Sequence, residues 1–439
     1  MLNDPHVIPN KRWVRILPPI LLVYIVALMD RVNIGFAIAG GMDKDLGLST
    51  TFAGLVAGIF FIGYLLLQIP GGLIAAGGSA KKFIAYTIVG WGATSILMGF
   101  VEKDWQVLTL RFILGVAEGG VFPALLIIIS NWFPNAERAR ANAIFIGGIV
   151  FIANFINGPI AGWIISRWSW RELFIIEGVM SLLLLFIWFP IISNRPDDAD
   201  WISEEERSYI NNKIREEQEA SIHTGSLMEI LKQNSLWKLV VIYFCYQTGI
   251  YGFSFWLPTM IKNLTTMGIG AVGFLSTLPY VAMLIGTYAI SSLSDKRNNR
   301  KFFIALSLFG FALFLICSAQ FSHYIWVSFA FLVLCGLFYE SASSVFWTIP
   351  PVLFPHHLAG GARGVINALG NLGGFVGPFM IGWMTSQYSL STGIYCLAGI
   401  LLVGFLTTLT LPGHLTHPKS PEAAAGLPKA TNTSRETGA

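Results

Sequence analysis

Charged residues are scarce in this sequence. Only 12% of its 439 residues are Asp, Glu, Lys or Arg, against roughly 25% in an ordinary soluble domain. The deficit extends over most of the chain, which excludes a single soluble globular domain because long segments carry almost no charge to present to water. The net charge is +4 and the basic residues are scattered, so no nucleic-acid partner is predicted.

Cysteine is also scarce, and no catalytic or metal-binding pattern is visible. The four cysteines, Cys245, Cys317, Cys335 and Cys396, fall in apolar runs without metal-ligand spacing. We expect them to be buried small hydrophobic side chains. No nucleophile–base pair stands out either. The sequence therefore predicts a protein that is not an enzyme and that holds no metal and no organic cofactor.

The chain is instead rich in long apolar runs. A helix needs about 20 predominantly apolar residues to cross a bilayer. Twelve such runs predict twelve membrane-spanning helices, six before and six after a charged segment. They are expected near residues 16–39, 52–75, 83–101, 106–130, 140–164, 170–192, 237–261, 268–292, 302–320, 325–348, 362–386 and 391–411.

This pattern predicts an all-α membrane protein built from two pseudo-symmetric six-helix bundles. Its parts are an N-terminal segment (1–15), a first bundle (16–192), a central loop (193–236), a second bundle (237–411) and a tail (412–439). The central loop contains a helix start, with Ser203 as the expected cap and Glu206 three residues later. The tail is rich in Pro, Ala, Thr and Ser, which is typical of disorder.

The distribution of Lys and Arg predicts the orientation. With the N-terminus placed in the cytoplasm, most of the 28 basic residues fall in cytoplasmic segments. The outer segments hold only Lys44, Lys103, Arg167, Arg171 and Lys262. The positive-inside rule then places both termini and the central loop in the cytoplasm. Two halves of six spans are the layout of a transporter that moves its halves about a central site.

Asp30 and Arg31 lie inside the first apolar run. Each charge at a helix centre costs about 2.5–3.5 kcal/mol on insertion scales, which indicates a function. The guanidinium of Arg31 can bind a carboxylate with two parallel hydrogen bonds; alternatively, it only neutralises Asp30. Asp30 is a candidate proton carrier, because an arriving anion at Arg31 would change its electrostatic surroundings; alternatively, it is a static structural charge.

Further acids lie in other runs. Glu118 follows Arg111 by seven residues, so both share one face of the fourth span, although Arg111 could instead extend to the outer surface. For Glu177 a structural pair with Arg171 is expected. Glu340 in the tenth span either lines the cavity and narrows substrate choice or pairs with an unidentified group.

Polar and aromatic side chains on several spans could line a site. Pairs four residues apart face the same way on a helix. For each residue, hydrogen bonding between helices is the alternative. The candidates are three such pairs, Tyr64 and Gln68, Gln247 and Tyr251, and Asn367 and Asn371, together with Ser344 and Trp347, which are three residues apart.

Several motifs in order resemble the major facilitator superfamily and, within it, the anion:cation symporter family. Residues 294–297, SDKR, are similar to the superfamily's loop signature, whereas Ala76 and Gly77 replace the usual Asp and Arg of the first-half copy. The family motifs are residues 29–37 (MDRVNIGFA), 111–123 (RFILGVAEGGVFP), 131–134 (NWFP) with 137–141 (ERARA), 170–178 (WRELFIIEG) and 367–378 (NALGNLGGFVGP).

This resemblance implies a proton-coupled importer of small organic anions in the bacterial inner membrane. Bacterial members with similar motifs carry tartrate, sugar acids such as rhamnonate, and hydroxyphenylacetate. It further implies carboxylate binding at Arg31, proton coupling at Glu118 and gating or charge balance at Arg111. The loop signature implies gating roles for Asp295, Lys296 and Arg297. A monomer in the lipid bilayer is expected, and export remains the alternative direction.

Overall fold

The computed structural model describes residues 10–220, 227–354 and 356–413, and these residues are almost entirely helical with no strand among them. Ten helical segments of this part are long and apolar enough to cross a membrane. Two more long helices, Ala80–Met98 and Asn234–Leu264, complete the set. Ala80–Met98 begins with two lysines, and Asn234–Leu264 is rich in Tyr and other polar groups, which lowers their hydropathy.

We number these helices as spans 1 to 12. The first bundle contains Lys11–Asp45, Thr50–Gly77, Ala80–Met98, Asp104–Trp132, Asn135–Arg167 and Trp170–Ile191. The second contains Asn234–Leu264, Ile269–Arg297, Arg300–Gln320, Ile325–Leu353, Leu358–Gln387 and Leu390–Leu409. The predicted fold of two six-helix bundles is thus confirmed, and the outward surface carries exposed apolar side chains such as Leu73 and Phe186, as lipid contact requires.

Span 1 begins earlier than its apolar run, inside the predicted N-terminal segment. The cause is Arg12, whose guanidinium is buried between Glu206 and Glu137 at 2.7 Å from each carboxylate. Glu206 lies on Glu204–Ala220, a helix of the central segment. The backbone N–H of Glu206 donates to the Ser203 hydroxyl at 3.3 Å, so the predicted cap is confirmed. The predicted tail beyond residue 413 lies outside the described residues.

Spans 4 and 10 are interrupted halfway. Span 4 leaves regular helix geometry at Gly120 (φ −87°, ψ −6°), and span 10 does so at Glu340 (φ −104°, ψ −6°). An acid lies at each interruption: the buried Glu118 is two residues before that of span 4, and the half-buried Glu340 is the interruption of span 10.

The two bundles meet closely at one end of the molecule. We call the end where span 1 begins the basic face and the other end the opposite face. At the opposite face, Lys262 donates to the carbonyl of Ala39, and the hydroxyls of Thr51 and Ser386 are 2.6 Å apart. Among the described residues, both hydrogen bonds found between the bundles lie at this end, so the opposite face is the closed one.

The predicted gate residues lie at the other end of the second bundle. Asp295, Lys296 and Arg297 end span 8 at the basic face, and all three are exposed. Within the described part of the chain, none forms an ion pair with the first bundle. Their gating role stays a prediction, because no hydrogen bond between the described residues joins the two bundles at this face.

Candidate functional site

Arg31 lies at the centre of the first bundle, on span 1. Its side chain is only 6% exposed, and its Nη2 donates to Oε2 of Glu118 on span 4 at 3.1 Å. The guanidinium carbon lies 4.8 Å from the ring centroid of Tyr64 and 5.2 Å from that of Phe60. Its Nε has no hydrogen-bond partner. Arg31 is therefore held in place while part of its donor set stays available.

Glu118 shares this incomplete pairing. Its second carboxylate oxygen, Oε1, has no hydrogen-bond partner. Span 2 can approach span 4 closely here because residue 119 is glycine: a Cβ added to Gly119 would lie 2.2 Å from the carbonyl oxygen of Tyr64. This packing brings Tyr64 and Phe60 against Arg31. Phe60 was not predicted as a site residue, although it lies one helical turn before Tyr64 on the same face.

Arg111 does not extend to the surface. Its side chain is 1% exposed, and its Nη2 and Nε donate to the carbonyls of Arg31 at 3.2 Å and Val56 at 3.4 Å. Its guanidinium carbon lies 5.0 Å from the Phe60 centroid. Arg111 therefore stabilises the backbone of span 1 at Arg31, and both guanidinium groups contact the ring of Phe60.

Asp30 points to different neighbours from Arg31. Its Oδ1 accepts a hydrogen bond from Ser95 of span 3 at 2.7 Å, and its Oδ2 has no partner. Asp30 and Asn33 lie within electrostatic reach of Glu177 on span 6, whose carboxylate oxygens are also unpaired. The first bundle thus holds a second buried polar cluster, formed by Asp30, Asn33, Ser95 and Glu177.

The expected pair of Glu177 with Arg171 is wrong. Arg171 donates instead to the carbonyls of Val101 at 2.7 Å and Gly99 at 3.5 Å, which follow the end of span 3. Its guanidinium also covers the ring of Trp170 at 4.2 Å. Free backbone carbonyls at a helix end attract a cation, and these lie closer to Arg171 than the carboxylate does.

A small cavity of about 20 Å³ lies between the two bundles beside Arg31. It has room for about one water molecule. Tyr251 of span 7 lines it, and the ring of Tyr251 lies 4.2 Å from that of Phe61. The residues around it are Arg31, Val32, Ile34, Ala57, Phe61, Arg111, Tyr251, Ser254, Phe255 and Pro378. The structure therefore brings Arg31 and Tyr251, predicted from separate halves of the sequence, to one interface.

The other predicted lining residues fall into separate contacts. Gln247 donates to Asn371 at 2.8 Å, which joins spans 7 and 11. Ser344 lies 2.8 Å from the hydroxyl of Ser291, and Trp347 packs edge-on against Tyr243 at 4.9 Å. Asn367 is half-buried, and Gln68 is buried with its Oε1 unpaired. Their roles in binding stay predictions.

Glu340 has a neutral partner that the sequence did not identify. Its Oε2 accepts a hydrogen bond from the hydroxyl of Tyr246 on span 7 at 2.9 Å. Tyr246 is buried, whereas Glu340 is half-buried. The two residues are 94 positions apart, so no local pattern could have paired them.

Comparison with known proteins identifies the architecture. The family model described as Major Facilitator Superfamily matches residues 20–271 and 263–435. The chain is similar in fold to a bacterial homolog of the human lysosomal transporter Spinster, in an inward-facing and unoccupied conformation. The TM-score is 0.74 at 16% identity, over 92% of this chain and 98% of that one.

Three relatives cover nearly the whole chain. A protein of Agrobacterium vitis, provisionally named a tartrate transporter, is 34% identical over 92% of this chain and 94% of its own. A quinolone resistance transporter of Acinetobacter baumannii is 31% identical, with 92% and 95% covered. The inner membrane transport protein RhmT of Escherichia coli K12 is 30% identical, with 92% and 94% covered.

Proposed function

Because the chain belongs to the Major Facilitator Superfamily and is a multi-pass membrane transporter rather than an enzyme, we propose that it imports a small organic carboxylate together with protons. The observation that carries this proposal is the incomplete ion pair of Arg31 with Glu118 beside a cavity shared by both bundles. The relative named for tartrate supports a carboxylate substrate. Hydroxy, sugar and aromatic acids are the candidate substrates.

Arg31 supplies the binding group. A planar guanidinium pairs with a carboxylate through two parallel hydrogen bonds, and the Nε–H of Arg31 has no partner within the protein. Tyr64 and Phe60 hold the guanidinium by cation–π contacts, so little side-chain freedom remains to be lost on binding. Tyr251 lies across the cavity from Arg31, where a bound anion would contact both bundles.

Glu118 supplies the coupling to protons. An arriving carboxylate and Glu118 compete for the same guanidinium. Once displaced, the carboxylate of Glu118 would lie buried without its counter-ion, which is strongly unfavourable. Glu118 is therefore neutralised by a proton when the substrate binds, and anion and proton cross the membrane together. Asp30, with one unpaired oxygen, is the second proton carrier in this scheme, and Arg111 balances both acids.

Movement between two states follows from the contacts of the bundles. The opposite face is closed by contacts of span 1 with span 7, of span 2 with span 11, and of span 5 with span 8, where Gly158 packs against Gly273. If the bundles separate at the opposite face and close at the basic face, Arg31 becomes accessible from the opposite face. The gate at the basic face would then be formed by Asp295, Lys296 and Arg297. The distribution of Lys and Arg supports a cytoplasmic basic face in the inner membrane. We expect the working unit to be a monomer.

Uptake into proteoliposomes tests this proposal. Vesicles with an alkaline interior should accumulate at least one labelled hydroxy, sugar or aromatic acid above its external concentration. Accumulation should vanish when a protonophore removes the gradient. Transport of no carboxylate, or transport that ignores the proton gradient, would contradict the proposal.

Export is the second candidate, and the relative named for quinolone resistance favours it. Coupled movement is reversible, so the same site could move an anion outward together with protons. Cells that overproduce the protein would then retain less of the labelled compound, whereas import predicts that they retain more.

A further inference from the structure

Each of the two bundles places an acid close to the interruption of its fourth span. Spans 1 and 7 correspond in the two six-helix repeats, as do spans 4 and 10. Glu118 lies two residues before the interruption of span 4, and Glu340 forms the interruption of span 10. Each acid accepts a hydrogen bond from the corresponding neighbour, Glu118 from Arg31 of span 1 and Glu340 from Tyr246 of span 7.

The partners differ in charge. Arg31 is a cation, whereas Tyr246 is a neutral phenol. Among the ion pairs of the described residues, none includes Glu340. Its other neighbours are also neutral, namely the hydroxyl of Ser343 and the phenols of Tyr243 and Tyr339. Glu340 is therefore a carboxylate that only neutral groups surround in the described part of the chain.

The level of Glu340 relative to Arg31 follows from one close contact. A Cβ added to Gly35 of span 1 would lie 2.5 Å from the carbonyl oxygen of Phe255 on span 7, which aligns these two residues. Spans 1 and 7 run in the same direction. Arg31 lies four residues before Gly35, and Tyr251 lies four residues before Phe255, so Arg31 and Tyr251 are at the same level. Tyr246 lies five residues further, or about 7.5 Å along the helix axis. A small extended acid would reach from one position to the other.

Tyrosine side chains of span 7 lie near the first bundle at both positions. Tyr251 lines the cavity beside Arg31. Further towards the basic face, Tyr243 lies 5.9 Å from Tyr246 by ring centroids and within electrostatic reach of Tyr24 of span 1. Nearby polar contacts on the second bundle, such as Gln247 with Asn371, are neutral amides. These neutral phenols and amides are better suited to contact hydroxyl groups of a substrate than a second charged group of it.

We propose that Glu340 and Tyr246 form a second substrate subsite, which binds a hydroxyl group of the carboxylate held by Arg31. This inference rests on the proposed function. The substrate hydroxyl would donate to Glu340 and could accept from Tyr246. The transporter would thereby select hydroxy and sugar acids. An acid without hydroxyls would leave only the hydrogen bond between Tyr246 and Glu340 and would gain no contact with them, so it should bind less tightly.

The test compares three acids with the same carbon skeleton on the purified full-length protein. Gluconate carries hydroxyls, hexanoate carries none, and 6-aminohexanoate carries a terminal ammonium. We expect ligand-induced thermal stabilisation to give gluconate an affinity at least about tenfold above hexanoate. Glu340→Gln should reduce this ratio to about twofold while hexanoate binding stays unchanged. Tyr246→Phe, which keeps the ring, should reduce the ratio partly, and Glu229→Gln, an exposed acid of the central segment, should leave it unchanged.

Each other outcome overturns a specific statement. Equal binding of gluconate and hexanoate by the wild type rejects the subsite but not the carboxylate site. A preference for 6-aminohexanoate that Glu340→Gln removes would identify an ammonium site instead. An unchanged ratio in both Glu340→Gln and Tyr246→Phe also rejects the subsite. Failure of the wild type to bind any of the three acids contradicts carboxylate binding at Arg31 and the subsite with it.

Discussion

Arg31 and Glu118 form a buried ion pair, with 3.1 Å between Nη2 of the guanidinium and Oε2 of the carboxylate. The pair joins spans 1 and 4 across 87 residues of sequence. Both partners keep an unpaired atom, Nε on Arg31 and Oε1 on Glu118. A pair that is incomplete in this way can open for a competing anion, whereas a saturated pair would only fix the two helices.

Replacing Arg31 by lysine should distinguish the contribution of its positive charge to substrate binding from that of its planar donor geometry. Lysine keeps the positive charge but loses the planar fork that binds a carboxylate with two hydrogen bonds. We expect substrate affinity to fall by at least about tenfold, since hydrogen bonds to a charged group are worth about 1.5–3 kcal/mol each. Isothermal calorimetry on purified protein measures this. Arg167→Lys at an exposed position is the matched control, and wild-type affinity in Arg31→Lys would show that charge alone binds the substrate.

A bulky residue at Gly158 should prevent closure of the opposite face. A Cβ added to Gly158 of span 5 would lie 2.5 Å from the carbonyl oxygen of Gly273 on span 8. We expect Gly158→Leu to shift the population towards the state that is open at the opposite face. Gly399→Leu is the control, because an added Cβ there meets no atom within 4 Å.

Spin labels report this change as a distance. Labels at Lys44→Cys and Asn263→Cys would lie on different bundles near the opposite face, after Cys317 and Cys396 are replaced by serine. Their separation should increase in Gly158→Leu but not in Gly399→Leu. The same distance distribution in both variants would mean that spans 5 and 8 do not control closure.

Removing Arg12 should destabilise the first bundle. Its guanidinium is 2.7 Å from both Glu137 and Glu206, and Glu206 is fully buried. Breaking a buried pair from one side leaves an uncompensated charge and costs about 3–5 kcal/mol. Arg12→Ala should therefore lower the midpoint of thermal unfolding in detergent well below that of Lys11→Ala, which removes an exposed neighbour. Equal midpoints would mean that the central helix is not anchored through Arg12.

The sequence could predict the features that depend on neighbouring residues, but not the contacts between residues far apart in the chain. The spans and the Ser203 cap depend on neighbouring residues, so they could be read from hydrophobic runs and spacing. The early start of span 1 could not, because Glu206, which lies 194 residues after Arg12, buries that side chain. The Glu340–Tyr246 contact is equally remote in sequence.

The candidate site shows the same division. Their charges inside apolar runs singled out Arg31, Glu118 and Asp30, and the structure shows the first two in contact and the third with Ser95. The expected partner of Glu177 was wrong because proximity in sequence favoured Arg171, while the fold offers Arg171 the carbonyls at the end of span 3. Tertiary packing determines which hydrogen-bond partner a buried side chain has, and the spacing of residues along the chain does not show it.

Transport by Glu118→Gln tests the central claim most directly. Glutamine still accepts a hydrogen bond from Arg31 but cannot carry a proton. In proteoliposomes we expect exchange of labelled for unlabelled substrate to continue, whereas accumulation driven by an inward proton gradient should be lost. Glu102→Gln, an exposed acid, should retain both activities. Gradient-driven accumulation by Glu118→Gln at the wild-type level would contradict the account, because the proton would then cross without this carboxylate.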